Sequence, residues 1–529
     1  MFLQKSQWYC LFLACVLTLP STGCSDDNSG SSRDSSVADT SVGDASDGDT
    51  SPDDVATDAS DLHDASDASD LDTTPDISSE DVADTEGPET PTWRKHIQGD
   101  GAQRAGDVVV DGQGNIFVTG NFTQSLDLGG GALTSAGEGD VFLAKFDADG
   151  NHLWSKRFGG SAADMGHGLA VDSQNNIVLV GEFGDTADFG GGAVTSAGAS
   201  DIFVAKFDPN GAHLWSHHYG AAGEDGARAV AVDSQDRVLV TGLFVHAVDF
   251  GGGELATDSD HATDSDGFVL QLDTGGGHLW SKSVGARAPD VGRDIVVDSQ
   301  DNIFIGGSFR AEIDLGDGVR LGENTPDGFV TKWTADGDFV WGQNFGDEFD
   351  DVTTGLAVDS QDNVIAVGYF NLRLHFGNGN GLLAETNNDE EIFVIRFDGS
   401  TGEFQWGEHY GGHWDNGMED RAHDVAVGPQ DNISMVGTFE GRAYFGGLNH
   451  RSRGGKDAFA AGFDSEGDYL WSESYGGADE VRADAVAVTA QGAPVVFGSF
   501  EGTADFDTDD HWAASGDAAD LFLLTLPAP

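Results

Sequence analysis

Between Gly168 and Tyr219 the apolar residues gather into four short runs separated by polar and glycine-rich links: GLAVD (168–172), NIVLVGEF (176–183), DIFVAKFD (201–208) and HLWSHHY (213–219). Each run is rich in β-branched and aromatic residues and is bounded by Gly, Asp or Asn, the signature of strands ending in turns. We denote these strands A, B, C and D. The A–B link (VDSQNN or VDSQDN) and the C–D link (DADGN or DPNGA) are short Asp/Asn/Gly turns suited to hairpins. The D–A link (GGSAADMGH) and the B–C link (GDTADFGGGAVTSAGAS) are longer loops. Successive strands reverse direction, so both short links fall on one face and both long links on the other. The long-link face is where sequence varies without damage to the sheets.

The unit recurs. Copies begin at Trp93, Trp154, Trp215, Trp280, Trp341, Trp406 and Trp471, at spacings of 61, 61, 65, 61, 65 and 65 residues. A unit of this kind cannot bury both faces alone and must stack on its neighbours. No part of the repeat region carries a helical period. The predicted fold is therefore all-β, a seven-bladed β-propeller of four-stranded antiparallel blades over residues 93–529. The region opens with a lone D-type strand, WRKHI (93–97), and closes with a C-type strand, DLFLLTL (520–526). The first strand is expected to complete the last blade, which would remove two exposed sheet edges.

The recurring phrases VDSQ(D/N)N-Φ-x-Φ-x-G, (D)FGGG and F-V-x-K-F-D…LW resemble those of the SBBP-type seven-bladed β-propeller repeat family, over about residues 93–526. That resemblance implies a fold and little about activity. FDGSTGEFQW (397–406) is also similar to the tryptophan-docking phrase of quinoprotein propellers, where the motif is structural.

The N-terminal region reads differently. Residues 1–23 have Lys5, an apolar core from Trp8 to Leu19 and then small residues, the pattern of a secretory signal. Ser21-Thr22-Gly23-Cys24 resembles a bacterial lipobox, although Ser21 stands where that motif carries Leu. The resemblance implies lipidation of Cys24 and a protein anchored in the bacterial cell envelope, at the outer membrane or cell surface. Residues 24–92 are Asp, Ser, Thr and Ala with few large apolar groups, the composition of a disordered acidic tether.

The chain has 92 Asp and Glu against 25 Lys and Arg, for a formal net charge of −67. Such a balance argues against nucleic acid as a partner. All three cysteines, Cys10, Cys15 and Cys24, precede the repeats, so no disulfide, thiolate nucleophile or cysteine-ligated metal is expected there. No other metal site is expected. Calcium is the cofactor the DSQDN and DxDG turns bring to mind, but no unit carries a full DxDxDG…E ligand set.

Comparing the units with one another separates scaffold from candidates. The repeated Trp residues and Asp172, Asp233, Asp298 and Asp359 read as scaffold. Asp164, Asp225, Asp290, Asp351 and Asp420, before strand A, are expected to cap or bridge neighbouring loops. Near the start of strand A the aligned positions diverge: Gly106, His167, Arg228, Arg293, Thr354, His423 and Asp484. With Arg104, Arg421 and Arg482 two residues before that position in their own units, they predict a cationic channel mouth for a carboxylate or acidic sugar. The bland alternative pairs these cations with Asp225, Asp290, Asp294, Asp420 and Asp424. A second candidate patch joins blades 6 and 7: His413, Trp414, Asn449, His450, Arg451, Arg453, Lys456, His511 and Trp512, where exposed Trp beside Arg and His would suit glycan or peptide capture. Its alternative is Trp buried under a loop.

No Ser-His-Asp spacing, GxSxG, HExxH or phosphate loop is present, so no catalytic residue is assigned. The expected function is a monomeric, non-catalytic binding or adhesion module for a glycan, peptide or protein partner. The alternatives are a channel-mouth hydrolase or lyase using His167 and His423, and a purely structural envelope spacer.

Overall fold

The computed structural model describes residues 92–257, 264–376, 381–384, 389–412, 418–506, 511–515 and 518–529. The signal, Cys24 and nearly all of the tether lie outside the described residues, as do His413 and Trp414. No helix among the described residues is long and apolar enough to cross a membrane.

Among the described residues seven antiparallel sheets have four or more strands, and each contains the strand order A-B-C-D. Strand A is Gln103–Val110, Asp164–Val171, Gly226–Val232, Val291–Val297, Val352–Val358, Arg421–Val427 and Val481–Val488 in blades 1 to 7. The A strands of neighbouring blades pack side by side, and that of blade 7 meets that of blade 1, so the ring closes. The closing blade takes its D strand from the other end of the chain. Trp93 to Ile97 pair antiparallel with Thr525 to Leu521.

Strands B and C are buried on both faces, as in Ile433–Phe439 and Asp457–Phe463, because each blade is sandwiched between two others. The apolar core divides accordingly into seven clusters, one for each pair of adjacent blades. Phe203, for example, packs with Phe117 and Leu143 of the preceding blade, and Phe459 with Ile365 and Val394. At about 25 cal/mol per Å² of apolar surface removed from water, these interfaces dominate the folding energy of a ring that has no disulfide.

Two features differ from the sequence expectation. Strand A of blade 2 begins at Asp164 rather than Gly168, because a β-bulge at His167 breaks the alternation. The B–C link is a loop in name only. In most blades it folds into a small hairpin, such as Thr186–Asp188 with Ala193–Thr195, and in blade 4 strands B and C simply extend to Asp314 and back from Val319. The Gly-rich tip explains the form: the Asp188 carboxylate accepts from the N–H groups of Gly190 and Gly192, both at positive φ.

The scaffold Trp residues dock between blades. Trp154 Nε1 donates to the carbonyl of Pro209 in the C–D turn of the next blade (3.2 Å), and Trp93, Trp215, Trp280 and Trp341 make the equivalent bond. Gly402, at φ +72°, lies where a Cβ would come 2.6 Å from the Trp341 ring, so glycine in this turn is a packing requirement. Blade 7 has no C–D turn, since its strands C and D come from opposite chain ends; among the described residues the buried Nε1 atoms of Trp406 and Trp471 have no partner.

Candidate functional site

The seven divergent positions share one backbone feature. In every blade the A–B register slips by one residue, and the bulged residue is Gly106, His167, Arg228, Arg293, Thr354, His423 or Asp484. A bulge leaves its residue unpaired and re-aims the side chain. Each of the seven keeps some exposure although it lies on the innermost strand of its blade, and Arg293 is the most open of them. The ring of A strands therefore surrounds a channel, and the bulges set its mouth on the long-link side.

The cations of this mouth are paired differently from the sequence expectation. Arg228 pairs with Glu182 (3.4 Å), Arg421 with Glu390 (2.9 Å) and Glu419 (3.6 Å), and Arg482 with Glu480 (3.3 Å) and Asp484 (3.1 Å). The aspartates named as alternative partners accept backbone N–H groups instead. Asp294 takes Ile295 N–H (2.7 Å) and Leu356 N–H (2.6 Å) of blade 5; Asp424 takes Val425 and Val486 of blade 7 (both 2.7 Å). Asp107 does the same with Val108 and Leu169. These three, one residue past the bulge in blades 1, 4 and 6, tie each blade to its successor. Burial raises all three carboxyls, Asp107 to about 7 and Asp294 to about 6, and Asp424 is raised further by the other two.

The mouth histidines are committed to neighbours. His167 Nε2 accepts from Arg228 Nη1 at 2.6 Å, which requires the neutral ring, and burial lowers its pKa. His423 Nδ1 donates to the Ala483 carbonyl (2.8 Å) and its Nε2 faces Thr438 Oγ1, while burial and Arg482 hold its pKa well below the ordinary value.

Arg293 and Arg104 are the mouth cations without a carboxylate partner among the described residues. Arg104 lies in the field of Glu182. Arg293 has as its polar contact Ser308 Oγ, 3.3 Å from Nε. Although the side chain is open to the channel, desolvation by the surrounding channel wall lowers its pKa, Tyr369 opposes that, and the charges of Arg228 and Arg421 add to the lowering. Arg421 in turn lies 4.5 Å over the Tyr369 ring, so that aromatic face is covered.

Asp164, Asp225, Asp290, Asp351 and Asp420 bridge loops as their positions suggested. Each takes one N–H from the preceding D–A loop and one from the end of strand B, as Asp225 does with Ala221 and Val245 (both 2.8 Å). The turn aspartates are equally engaged. Asp172 accepts from Gln174 and Asn176 and pairs with buried Lys206 at 2.9 Å. Among the described residues no group of three or more His, Cys, Asp or Glu is placed to hold a metal ion.

Among the described members of the blade 6–7 patch, most side chains are engaged by neighbours. Trp512 is not an exposed platform: it stacks on His96 (5.2 Å between centroids) and packs on Phe506 (4.4 Å). His450 points inward, bonded to Ser472 and Ser474 between Phe439 and Phe445. Arg453 pairs with Asp505 at 2.5 Å, His511 with the same Asp505, and Lys456 with Glu419. Asn449 and Arg451 remain exposed on their hairpin. Of the described members, Arg453 and His511 meet at Asp505 across two hairpins, while His450, Lys456 and Trp512 are held by other partners. The side chains that sequence comparison passed over are the mouth acids and hydroxyls, Glu182, Ser308, Tyr369 and Glu390, because they sit on strands B and C among scaffold residues.

This geometry defines a seven-bladed β-propeller with a polar channel mouth. No protein-family model matches the chain. An uncharacterized WD repeat-containing protein of Acanthamoeba polyphaga mimivirus is 21% identical over 454 residues, covering 70% of this chain and 32% of its own length. The regulatory protein FlaEY of Caulobacter vibrioides is 28% identical over 171 residues, 30% of this chain and 17% of its own length. The chain thus spans about a third or less of the curated relatives it matches. Among solved structures, the Neurospora crassa Pan2 WD40 domain (TM-score 0.40, 10% identity, covering 82% of this chain and 90% of its own) and the Dos1 propeller (TM-score 0.40, 10% identity, 84% and 98%) are similar.

Proposed function

We propose that the chain is an envelope-anchored protein of the SBBP repeat type whose propeller captures a glycan at the channel mouth without chemical conversion. The observation that carries this reading is the ring of bulges. Nearly every other repeated polar position is committed to holding blades together, while the bulged position carries five different residue types in seven blades. Arg–Glu pairs interleaved with Ser308, Thr354 and Tyr369 offer both donors and acceptors in a fixed arrangement, which suits a hydroxyl-rich ligand better than an apolar one. The engagement of His167 and His423 with scaffold partners favours binding over the hydrolase or lyase alternative. Anchoring rests on the lipobox-like residues ending at Cys24.

The test is a glycan array probed with the full chain, in parent form and as Arg228→Ala. Saccharide binding that the substitution weakens supports the reading; no saccharide bound leaves a structural spacer. Fatty-acid labelling lost in Cys24→Ala checks the anchor.

A further inference from the structure

We infer that Arg293 is the anion socket of this mouth and that its ligand is a sugar acid, bound through a carboxylate; this rests on the glycan reading above. The argument begins with charge. Arg228, Arg421 and Arg482 of the same mouth each pair with a carboxylate, and among the described residues Arg293 does not. The nearest carboxylate in sequence, Asp294, is turned into the seam with blade 5, with both oxygens occupied by N–H groups at 2.7 and 2.6 Å. Asp290 is likewise spent on loop N–H groups. The bulge meanwhile points the Arg293 side chain into the channel, where it is exposed.

The surroundings prepare the site for an incoming anion. Ser308 holds Nε at 3.3 Å and leaves the outer guanidinium nitrogens, among the described residues, without a partner. Guanidinium presents a planar fork that matches a carboxylate bidentately. Arg228 and Arg421 flank it and add positive potential, but each is already tied to a glutamate. Among the described residues Arg293 therefore stands beside the charge-balanced Arg228 and Arg421 as the cation without a carboxylate, while Arg104 lies in the field of Glu182. One carboxylate fits that count, with the glutamates of the rim left to accept from ring hydroxyls. A polyanion would meet Glu182, Glu390 and Glu419. The Tyr369 face is covered by Arg421, so recognition falls to hydrogen bonds rather than to stacking.

The experiment measures binding of the full chain by titration calorimetry to two oligosaccharides of equal length, one of galacturonate and one of galactose, and to an acidic peptide. The parent is compared with Arg293→Gln, Arg293→Lys and Ser308→Ala, each checked for an unchanged melting temperature. The expected result is galacturonate binding that Arg293→Gln weakens at least about ten-fold, that Arg293→Lys weakens less, and that fades with salt. Galacturonate and galactose bound equally, or galacturonate binding indifferent to Arg293→Gln, would overturn the socket while leaving the glycan reading standing. Neither saccharide bound, with the peptide bound instead, would overturn both.

Discussion

Asp301 accepts from both the backbone N–H and the hydroxyl of Ser234, each at 2.8 Å, across the boundary between blades 4 and 3. The same pair recurs as Ser173–Asp236, Ser299–Asp362 and Ser360–Asp431, so the VDSQDN turn is two devices in one phrase. Its first Asp caps the turn itself. Its second, at φ between 60 and 64°, receives the Ser of the preceding blade. The series runs from blade 2 to blade 6 and stops where blade 1 has Gly112 in place of Ser and blade 2 has Asn175 in place of Asp.

Removing one link should be felt. Asp301→Ala strands two donors from Ser234 and one from Gln235, and places a Cβ-bearing residue less tolerant of positive φ at 62°. The expected loss is about 1–3 kcal/mol, read from denaturant midpoints. Asp301→Asn keeps the backbone preference and should lose less.

Ring closure gives the sharpest contrast. Deleting residues 93–97 removes the strand that pairs with Leu521 to Thr525 and opens blade 7 to solvent. The melting temperature of that truncation is expected to drop well below that of the full chain. Deleting 25–90, which is poor in large apolar residues, is expected to leave it unchanged. Equal melting temperatures would contradict the closure.

Glycine after strand D is a second sensitive point. At Gly159, φ is +135°, and a Cβ would come 2.4 Å from both Asp140 Oδ1 and Asp164 Oδ2. Gly159→Ala must therefore move a buried carboxyl and adopt a backbone conformation unfavourable to alanine. A loss of about 1 kcal/mol or more is expected from the backbone alone, before the contact is counted. Gly131→Ala, at φ +103° with nothing near, isolates the backbone part.

These examples show what was readable beforehand. Repetition exposed the blades, the closure and the Trp positions, since each recurs at a fixed spacing. Bulges were legible only as a column of dissimilar residues; their geometry breaks the alternation that reveals strands, which is why strand A seemed to start at Gly168 rather than Asp164. The mouth partners were hidden for another reason. Glu182 and Glu390 lie on strands B and C of their own blades, and ring stacking brings them to Arg228 and Arg421. Trp512 follows the buried alternative, because exposure of an aromatic on a loop depends on what packs there, here Phe506 and the distant His96.

Acid-dependent stability follows from the loop-bridging carboxyls. Burial raises Asp164 to about 7, with a further contribution from Asp140, and raises Asp225 to about 6. In the unfolded chain both return to near 3.8. Between these values the folded state binds protons that the unfolded state does not, so the stability they confer is full below about pH 4 and is lost as pH rises toward 7. Each unit separating folded from unfolded values is worth roughly 1.4 kcal/mol. Asp301, Asp362 and Asp172 run the other way, held low in the fold, and their contribution is lost only as pH falls below the ordinary carboxylate range. Self-repulsion from the net charge of −67 also grows with pH, so the parent protein alone is not diagnostic. Asp164→Asn is. It cannot ionise, and its amide can donate to Asp140 Oδ1, a buried oxygen without a partner among the described residues. The difference in melting temperature between variant and parent should therefore rise from pH 4 to pH 7 in the variant's favour and level off above. A difference that stays flat over that interval would mean that Asp164 titrates at its ordinary value and that the bridge is ionic throughout.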